Sequence, residues 1–381
     1  MQVQDSSPLG LYVHIPFCSI KCYYCDFAAF SGQNAAIDRY LRALEREAAL
    51  YKGRAPGTLY VGGGTPSELS AGQTAELFAL IRRSFPRAQF EEITFEANPE
   101  SLTPEKLSAL KAAGVTRLSL GLQTMDQALL KDIGRRHTPQ DFLRTYEQAR
   151  RASGWAVSVD LMYGLPGQTL AQSQASLDAV LALEPEHLSL YGLQVEDRTQ
   201  FGKRGVEPDE DLCRRMFEDA LGRIARAGLS HYEISNFARS GHQSVHNKIY
   251  WQGGDYIGLG CSAASYISGE RWTNAERLTV YCDAVENGRS PAAQRERLSG
   301  REKLGEEAFV GLRLIDGFTP SPELRARFAP QWKRLVANGL VEPVGRGYRL
   351  TREGVFLANQ AFSEFVAPFD DAPMPVLEAV N

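Results

Sequence analysis

Six short β-forming runs, Leu11–His14, Thr58–Gly62, Ile93–Glu96, Arg117–Leu122, Val157–Met162 and His187–Leu193, recur through the first half of this 381-residue chain. The stretches between them carry apolar residues at helical spacing. Ala75, Leu77, Phe78 and Ile81 form one stripe, and Leu212, Met216, Phe217, Ala220, Leu221 and Ile224 form another. When a helix separates two neighbouring strands, the second strand returns parallel to the first. The pattern predicts an α/β fold of parallel βα units, about six of them, fewer than the eight of a complete barrel. In such folds the strands end on one side, and ligands gather there.

The residues at those strand ends are not the ones a packed core calls for. After the second strand comes GGGTPS at Gly62–Ser67, whose glycines let main-chain groups approach a ligand closely. Alone, that run reads equally well as a tight turn. EANP follows the third strand at Glu96–Pro99, Gln123 closes the fourth, and Asp160 lies on the fifth ahead of YGLPG at Tyr163–Gly167. Acidic and amide groups at successive strand ends point to a binding site.

The first strand leads into Cys18, Cys22 and Cys25, spaced C-x3-C-x2-C within YVHIPFCSIKCYYCD at Tyr12–Asp26. Three thiolates on one short loop can each take one iron of a cubane, leaving the fourth iron without a protein ligand. A structural zinc site wants four closed ligands, usually from paired C-x2-C arms. No second arm exists here. Cys213, Cys261 and Cys282 stand singly in contexts where cysteine is simply buried, and His14 shares a strand face with Tyr12 and Pro16. An iron-sulfur cluster is expected, with a zinc-stabilised scaffold as the rival.

Composition narrows the partners. With 43% hydrophobic and 23% charged residues the chain has the make-up of an ordinary soluble globular protein. A net charge of −4 without a basic run gives no electrostatic basis for nucleic acid. No apolar stretch approaches membrane-spanning length and the first residues lack the features of a signal peptide, so no integral membrane segment and a cytoplasmic location are expected. Clustered thiols in a reducing compartment bind metal more often than they form disulfides.

Beyond about Gly269 the alternation stops. Glu286–Glu307 is charged enough for a linker or surface helix. Pro322–Phe328 and Gln331–Asn338 read as helices, followed by a hairpin of GLVEPV (Gly339–Val344) and GYRLT (Gly347–Thr351), as in winged-helix folds. The expected division is a barrel domain over 1–270, a smaller winged-helix-like domain over 271–366 and a flexible, turn-rich tail over 367–381.

The cysteine triplet, the GGGTP run, the strand-end acids and HNKIYW at His246–Trp251 together resemble a radical S-adenosylmethionine (SAM) protein of the oxygen-independent coproporphyrinogen III oxidase family, over nearly the whole chain. The likeness is greater to the family's heme-chaperone branch. Its oxidases carry C-x3-C-x2-C-x-C, whereas Asp26 and Phe27 follow Cys25 here, and HNKIYW matches the H-N-x-x-Y-W motif of the chaperones. The resemblance implies a partial (β/α)6 radical SAM barrel with a smaller C-terminal winged-helix-like α+β domain. It implies a 4Fe-4S cluster on Cys18, Cys22 and Cys25, and SAM contacts at Tyr12, Tyr24, Gly63, Gly64, Thr65, Glu96, Gln123, Arg135 and Asp160. Main-chain amides and the hydroxyl of Gly64-Thr65 are expected at the methionyl end of SAM, Glu96 and Asp160 at ribose hydroxyls or the amino group, and Arg135 at the carboxylate.

Heme is implied as cargo, with His246, Asn247, Tyr250 and Trp251 as binding candidates, the imidazole as axial ligand and the rings on the porphyrin face. A histidine that fixes a loop, with aromatics in the core, is the structural alternative. Many relatives have a histidine where Ala264 stands in the run Ser262–Tyr266. Heme-accepting hemoproteins and an electron donor for the cluster are the implied partners. SAM cleavage to a 5′-deoxyadenosyl radical lies within the reach of such a centre. The alternative activity is oxidative decarboxylation of coproporphyrinogen III, against which the missing fourth cysteine argues. No catalytic side chain is assigned.

Overall fold

The computed structural model describes residues 8–152 and 154–369. All six expected strands form and pair in parallel in chain order: β1 (Gly10–Ile15), β2 (Thr58–Gly63), β3 (Glu92–Ala97), β4 (Arg117–Gln123), β5 (Ala156–Tyr163) and β6 (His187–Gly192). Their side chains alternate with the period of a strand. Leu11, Val13, Leu59, Val61, Phe95, Leu118, Leu120, Val157, Val159 and Leu188 are buried in the main core. The intervening positions carry Tyr12, Tyr60, Thr94, Glu96, Ser119, Asp160 and Ser189. One face of the sheet is a hydrophobic floor for the helices, and the other is a polar concavity.

Six further strands extend this sheet: β7 (Ser230–Glu233), β8 (Asn236–Ala238), β9 (Tyr256–Leu259), β10 (Ala264–Ile267), β11 (Glu270–Asn274) and β12 (Ala292–Arg297). The order across it is β12-β11-β10-β9-β1-β2-β3-β4-β5-β6-β8-β7. β9 runs parallel to β1, with Tyr12 beside Gly258, and is a seventh parallel strand that its four residues hide from a pattern search.

The division expected after residue 270 is corrected by this sheet. β11 pairs with both β10 and β12, and Leu278, Tyr281, Cys282 and Val285 lie in the main core. Glu286–Glu307 is neither a linker nor only a surface helix, for it holds β12 and the start of a helix over Gly300–Gly311. The reason is electrostatic: β12 is an edge strand held by exposed cross-strand pairs, Arg295 to Glu270 at 2.7 Å and Glu296 to Arg271 at 3.3 Å, so its sequence reads as polar.

The smaller α+β body follows Arg297. Helices Gly300–Gly311, Pro322–Arg327 and Ala329–Ala337 precede the hairpin of β13 (Val341–Val344) and β14 (Gly347–Leu350), the expected winged-helix order. Its own core contains Leu324, Phe328, Trp332 and Leu335, and the Trp332 ring stacks on Tyr348 at 4.4 Å. It joins the barrel where the Ile234 amide donates to the Arg313 carbonyl at 3.2 Å and the Ile315 amide to the Tyr232 carbonyl at 3.1 Å. Of the tail expected over 367–381, residues 370–381 lie outside the described residues, while the Phe369 ring packs on Phe328 at 5.7 Å. No helix among the described residues is long and apolar enough to cross a membrane.

Candidate functional site

Phe17–Cys18 forms a two-residue ladder with Phe30–Ser31, closing the residues between them into a loop at the carboxyl end of β1. Tyr23 anchors that loop. Its amide donates to the Ile133 carbonyl at 3.1 Å and its carbonyl accepts from the Phe201 amide at 3.0 Å. The ring lies against Gly134, where φ is +79° and a Cβ would stand 3.0 Å from a Tyr23 ring carbon. Tyr23 and Tyr24 rest on a small apolar cluster of Leu129, Ile133, Met162, Leu165, Leu193 and Phe201. Asp26 is tied to Arg198 by an ion pair.

The three thiols of the loop are free. Burial pushes the Cys18 thiol up to about 11 and raises that of Cys25. Their thiolates therefore need a metal cation, and binding one releases the protons. Among the described residues no three His, Cys, Asp or Glu side chains converge on a single-ion site. Thiols spread along one loop fit a multi-iron cluster, in which each binds a different iron.

A chain of polar contacts joins this loop to the strand ends. Asn98 Nδ2 donates to Thr65 Oγ1 at 3.1 Å, and the same hydroxyl lies 3.3 Å from Cys18 Sγ. The Arg135 guanidinium donates to Asn98 Oδ1 at 2.8 Å and to the Gly121 carbonyl, and its other terminal nitrogen lies 3.7 Å from Cys22 Sγ. The amides of Gly64 and Thr65, expected to meet the methionyl end of SAM, are instead committed to the carbonyls of Ile15 and Phe17, each at 2.9 Å. They fasten the end of β2 to the cysteine segment. Arg135 likewise faces the loop.

The remaining expected contacts line the concavity. Glu96 accepts from Tyr60 Oη at 2.6 Å and from the Gly63 amide at 3.1 Å. Gly63 has φ +114°, and a Cβ there would lie 2.5 Å from His14 Nδ1, so the turn demands glycine. Loss of solvation pushes the Glu96 carboxyl up to about 7, with the Asp160 charge adding to the rise against the hydrogen bonds of Tyr60 and Gly63. Desolvation also pushes Asp160 up to about 6, opposed by the hydroxyls of Ser189 and Ser119 and by Arg135. Two acids without a cationic partner in contact favour a ligand that brings hydroxyl or ammonium donors. Tyr12 Oη lies 3.0 Å from His14 Nδ1, and Gln123 holds a left-handed φ of +75° where β4 bulges against β5.

Sequence reasoning missed Tyr60, Asn98, Ser119 and Ser189. The period-two pattern that puts Tyr60 on the face of Glu96, and Ser119 on that of Asp160, was the available signal.

Of the HNKIYW segment, Tyr250 and Trp251 reach a cavity of about 1630 Å³ that also contacts Tyr12, Gly63 and Glu96 and extends to Val310 and Phe318 of the smaller body. His246, expected as an axial ligand, does not line it. The residue is 1% exposed, with Nδ1 2.8 Å from Thr58 Oγ1 and Nε2 2.7 Å from Tyr250 Oη. Both ring nitrogens are occupied, so the imidazole positions Tyr250. Asn247 is an early residue of the helix Val245–Trp251, its amide capped by Ser244 Oγ at 3.2 Å.

Residues 12–180 match the Radical SAM superfamily model. The heme chaperone HemW of Bacillus subtilis is 37% identical over 378 residues, covering 93% of this chain and 98% of that protein. HemW of Escherichia coli is 34% identical, covering 94% and 98%. Among solved structures, the coproporphyrinogen III oxidase HemN of Escherichia coli, described as a radical SAM enzyme, matches with a TM-score of 0.83 at 26% identity, covering 96% of this chain and 91% of that one.

The raised carboxyls make the ligand-free protein pH-sensitive. An acid whose folded-state pKa lies above its ordinary value stabilises the fold while protonated, and that stability is lost as pH rises through the folded value. The contribution of Glu96 to the thermal midpoint of the ligand-free protein therefore falls between about pH 5 and about pH 8, while His14, His187, His231 and His246, whose imidazoles burial holds below the ordinary value, contribute an opposite slope at the acid end of that window. Glu96→Gln removes the Glu96 contribution from the slope and leaves those of Asp160 and of Glu47, which burial pushes up to about 7. A slope unchanged in Glu96→Gln contradicts the assignment.

Proposed function

This chain belongs to the HemW family of heme chaperones within the radical SAM superfamily, and from that premise we propose that it binds heme in the cytoplasm and delivers it to acceptor hemoproteins. The observation that carries the reading is the continuity of one cavity from Glu96 and Gly63 at the strand ends to the aromatic wall of Tyr250 and Trp251. Such a space holds a flat macrocycle next to a SAM site.

In this reading Cys18, Cys22 and Cys25 hold a 4Fe-4S cluster, to which a protein electron donor delivers its electron. Thr65 and Arg135 direct hydrogen-bond donors at Cys18 and Cys22 and steady the ligating sulfurs. Glu96 and Asp160 accept from the ribose hydroxyls or amino group of SAM, with Tyr12, Tyr24, Gly63 and Gln123 completing the walls. Gly64 and Thr65 act one step back, through the backbone bonds that set the loop. When bound, the reduced cluster supplies the electron that breaks the sulfonium carbon–sulfur bond of SAM. Tyr250 and Trp251 give the heme an apolar face, and His246 fixes Tyr250.

Heme titration of the anaerobically reconstituted protein, followed by addition of an apo-hemoprotein, tests the function. Bound heme that moves to the acceptor is expected. Absence of heme binding, or clean conversion of coproporphyrinogen III to protoporphyrinogen IX with SAM and reductant, contradicts the chaperone reading in favour of the oxidase.

The two cofactor assignments fail separately. Reconstituted protein should hold about four irons per chain, and Cys22→Ser should lose the cluster. Asp160→Ala should keep the iron while SAM binds more weakly by roughly 1.5–3 kcal/mol, the value of a hydrogen bond to a charged group. Full iron content in Cys22→Ser, or unchanged SAM affinity in Asp160→Ala, overturns the corresponding role.

A further inference from the structure

We propose that the phenol oxygen of Tyr266 is the axial ligand of ferric heme in the cavity between the barrel and the smaller body, an inference that rests on the heme-binding reading above. The chain has six histidines, and of these only His14 lines the cavity. Its Nδ1 lies 3.0 Å from Tyr12 Oη and its Nε2 2.8 Å from the Ala28 carbonyl. His246 is closed off in the same way. Cys213, Cys261 and Cys282 are not on the wall, and among the described residues no methionine is.

Phenols are what remain among heme ligands. Four tyrosines line the cavity: Tyr12, Tyr250, Tyr256 and Tyr266. The hydroxyl of Tyr12 is bonded to His14 and that of Tyr250 to His246, while Tyr256 interacts with the Arg271 side chain. Tyr266 is half-buried and has no side-chain hydrogen bond among the described residues. In the sheet it stands directly opposite Tyr256 on one side and Arg271 on the other.

The surrounding rings complete the site. Tyr256 stacks on Tyr266 at 6.2 Å and meets Tyr250 edge-on at 4.7 Å, and Tyr250 lies 6.3 Å from Trp251. This row of aromatic side chains offers contact to a flat macrocycle whose iron meets its outer end. On coordination the phenol proton passes to solvent, an oxygen lone pair forms the Fe–O bond, and the water or chloride on the iron departs. The iron stays ferric.

The test uses full-length protein carrying its cluster, titrated anaerobically with hemin and followed by absorption and resonance Raman spectroscopy. Wild type is expected to show a phenolate-to-iron charge-transfer band with phenolate vibrational modes, and Tyr266→Phe to lose both while keeping its iron-sulfur content and SAM affinity. Ala264 lies two residues earlier on the same strand and lines the same cavity. The double variant Ala264→His, Tyr266→Phe is therefore expected to give a histidine-ligated spectrum instead. A wild-type heme complex without the phenolate signature, or a Tyr266→Phe complex that retains it, overturns the ligand assignment and leaves heme binding standing. A wild-type protein that takes up no hemin overturns both.

Discussion

One arginine fastens the site together. From the segment after β4, Arg135 reaches Asn98 beyond β3, the Gly121 carbonyl on β4 and the Cys22 thiol on the first loop. Asn98 passes the contact to Thr65 at the end of β2, and Thr65 to Cys18. Four chain segments far apart in sequence are thereby held on one polar line. Charge-assisted hydrogen bonds of this kind are the stronger ones and fix geometry as well as adding energy. The loop that carries Cys18, Cys22 and Cys25 would otherwise depend on its short ladder and on Tyr23.

The sheet accounts for why such a line is possible. Alternation sends Leu, Val and Phe toward the helices and Tyr, Ser, Glu and Asp into the concavity. Much of the polar face is tolerable because its members pair, Tyr60 with Glu96 and Ser119 with Asp160, though the buried Thr94 hydroxyl has no partner among the described residues. Those bonds leave the two acids desolvated without a cation in contact, an arrangement that costs stability in the empty protein and favours a ligand with donors. The smaller body then roofs the same concavity. Its attachment through the backbone of Arg313 and Ile315 brings Val310 and Phe318 to face the aromatic wall.

Local features were legible in the sequence and long-range directions were not. The parallel strands showed because apolar residues alternate within runs broken by helical stripes, and the cysteine loop showed because its three thiols lie within eight residues. β12 was hidden by its ion pairs and β9 by its brevity. Composition could not show that the Gly64 and Thr65 amides turn toward Ile15 and Phe17, nor that His246 spends both nitrogens on Thr58 and Tyr250. Those are properties of orientation, set by segments more than a hundred residues apart in the case of His246. The role of Asn98 was within reach, since it stands two residues from Glu96 in a motif already singled out.

The Thr65–Asn98–Arg135 line holds the cysteine loop in register with the strand ends that bind SAM in the proposed reading. Electron paramagnetic resonance of the reduced cluster, with and without SAM, in Asn98→Ala tests it most directly. The variant should assemble its cluster yet show a smaller spectral change on adding SAM than wild type does. A spectrum and a SAM-induced change identical to wild type would contradict the claim.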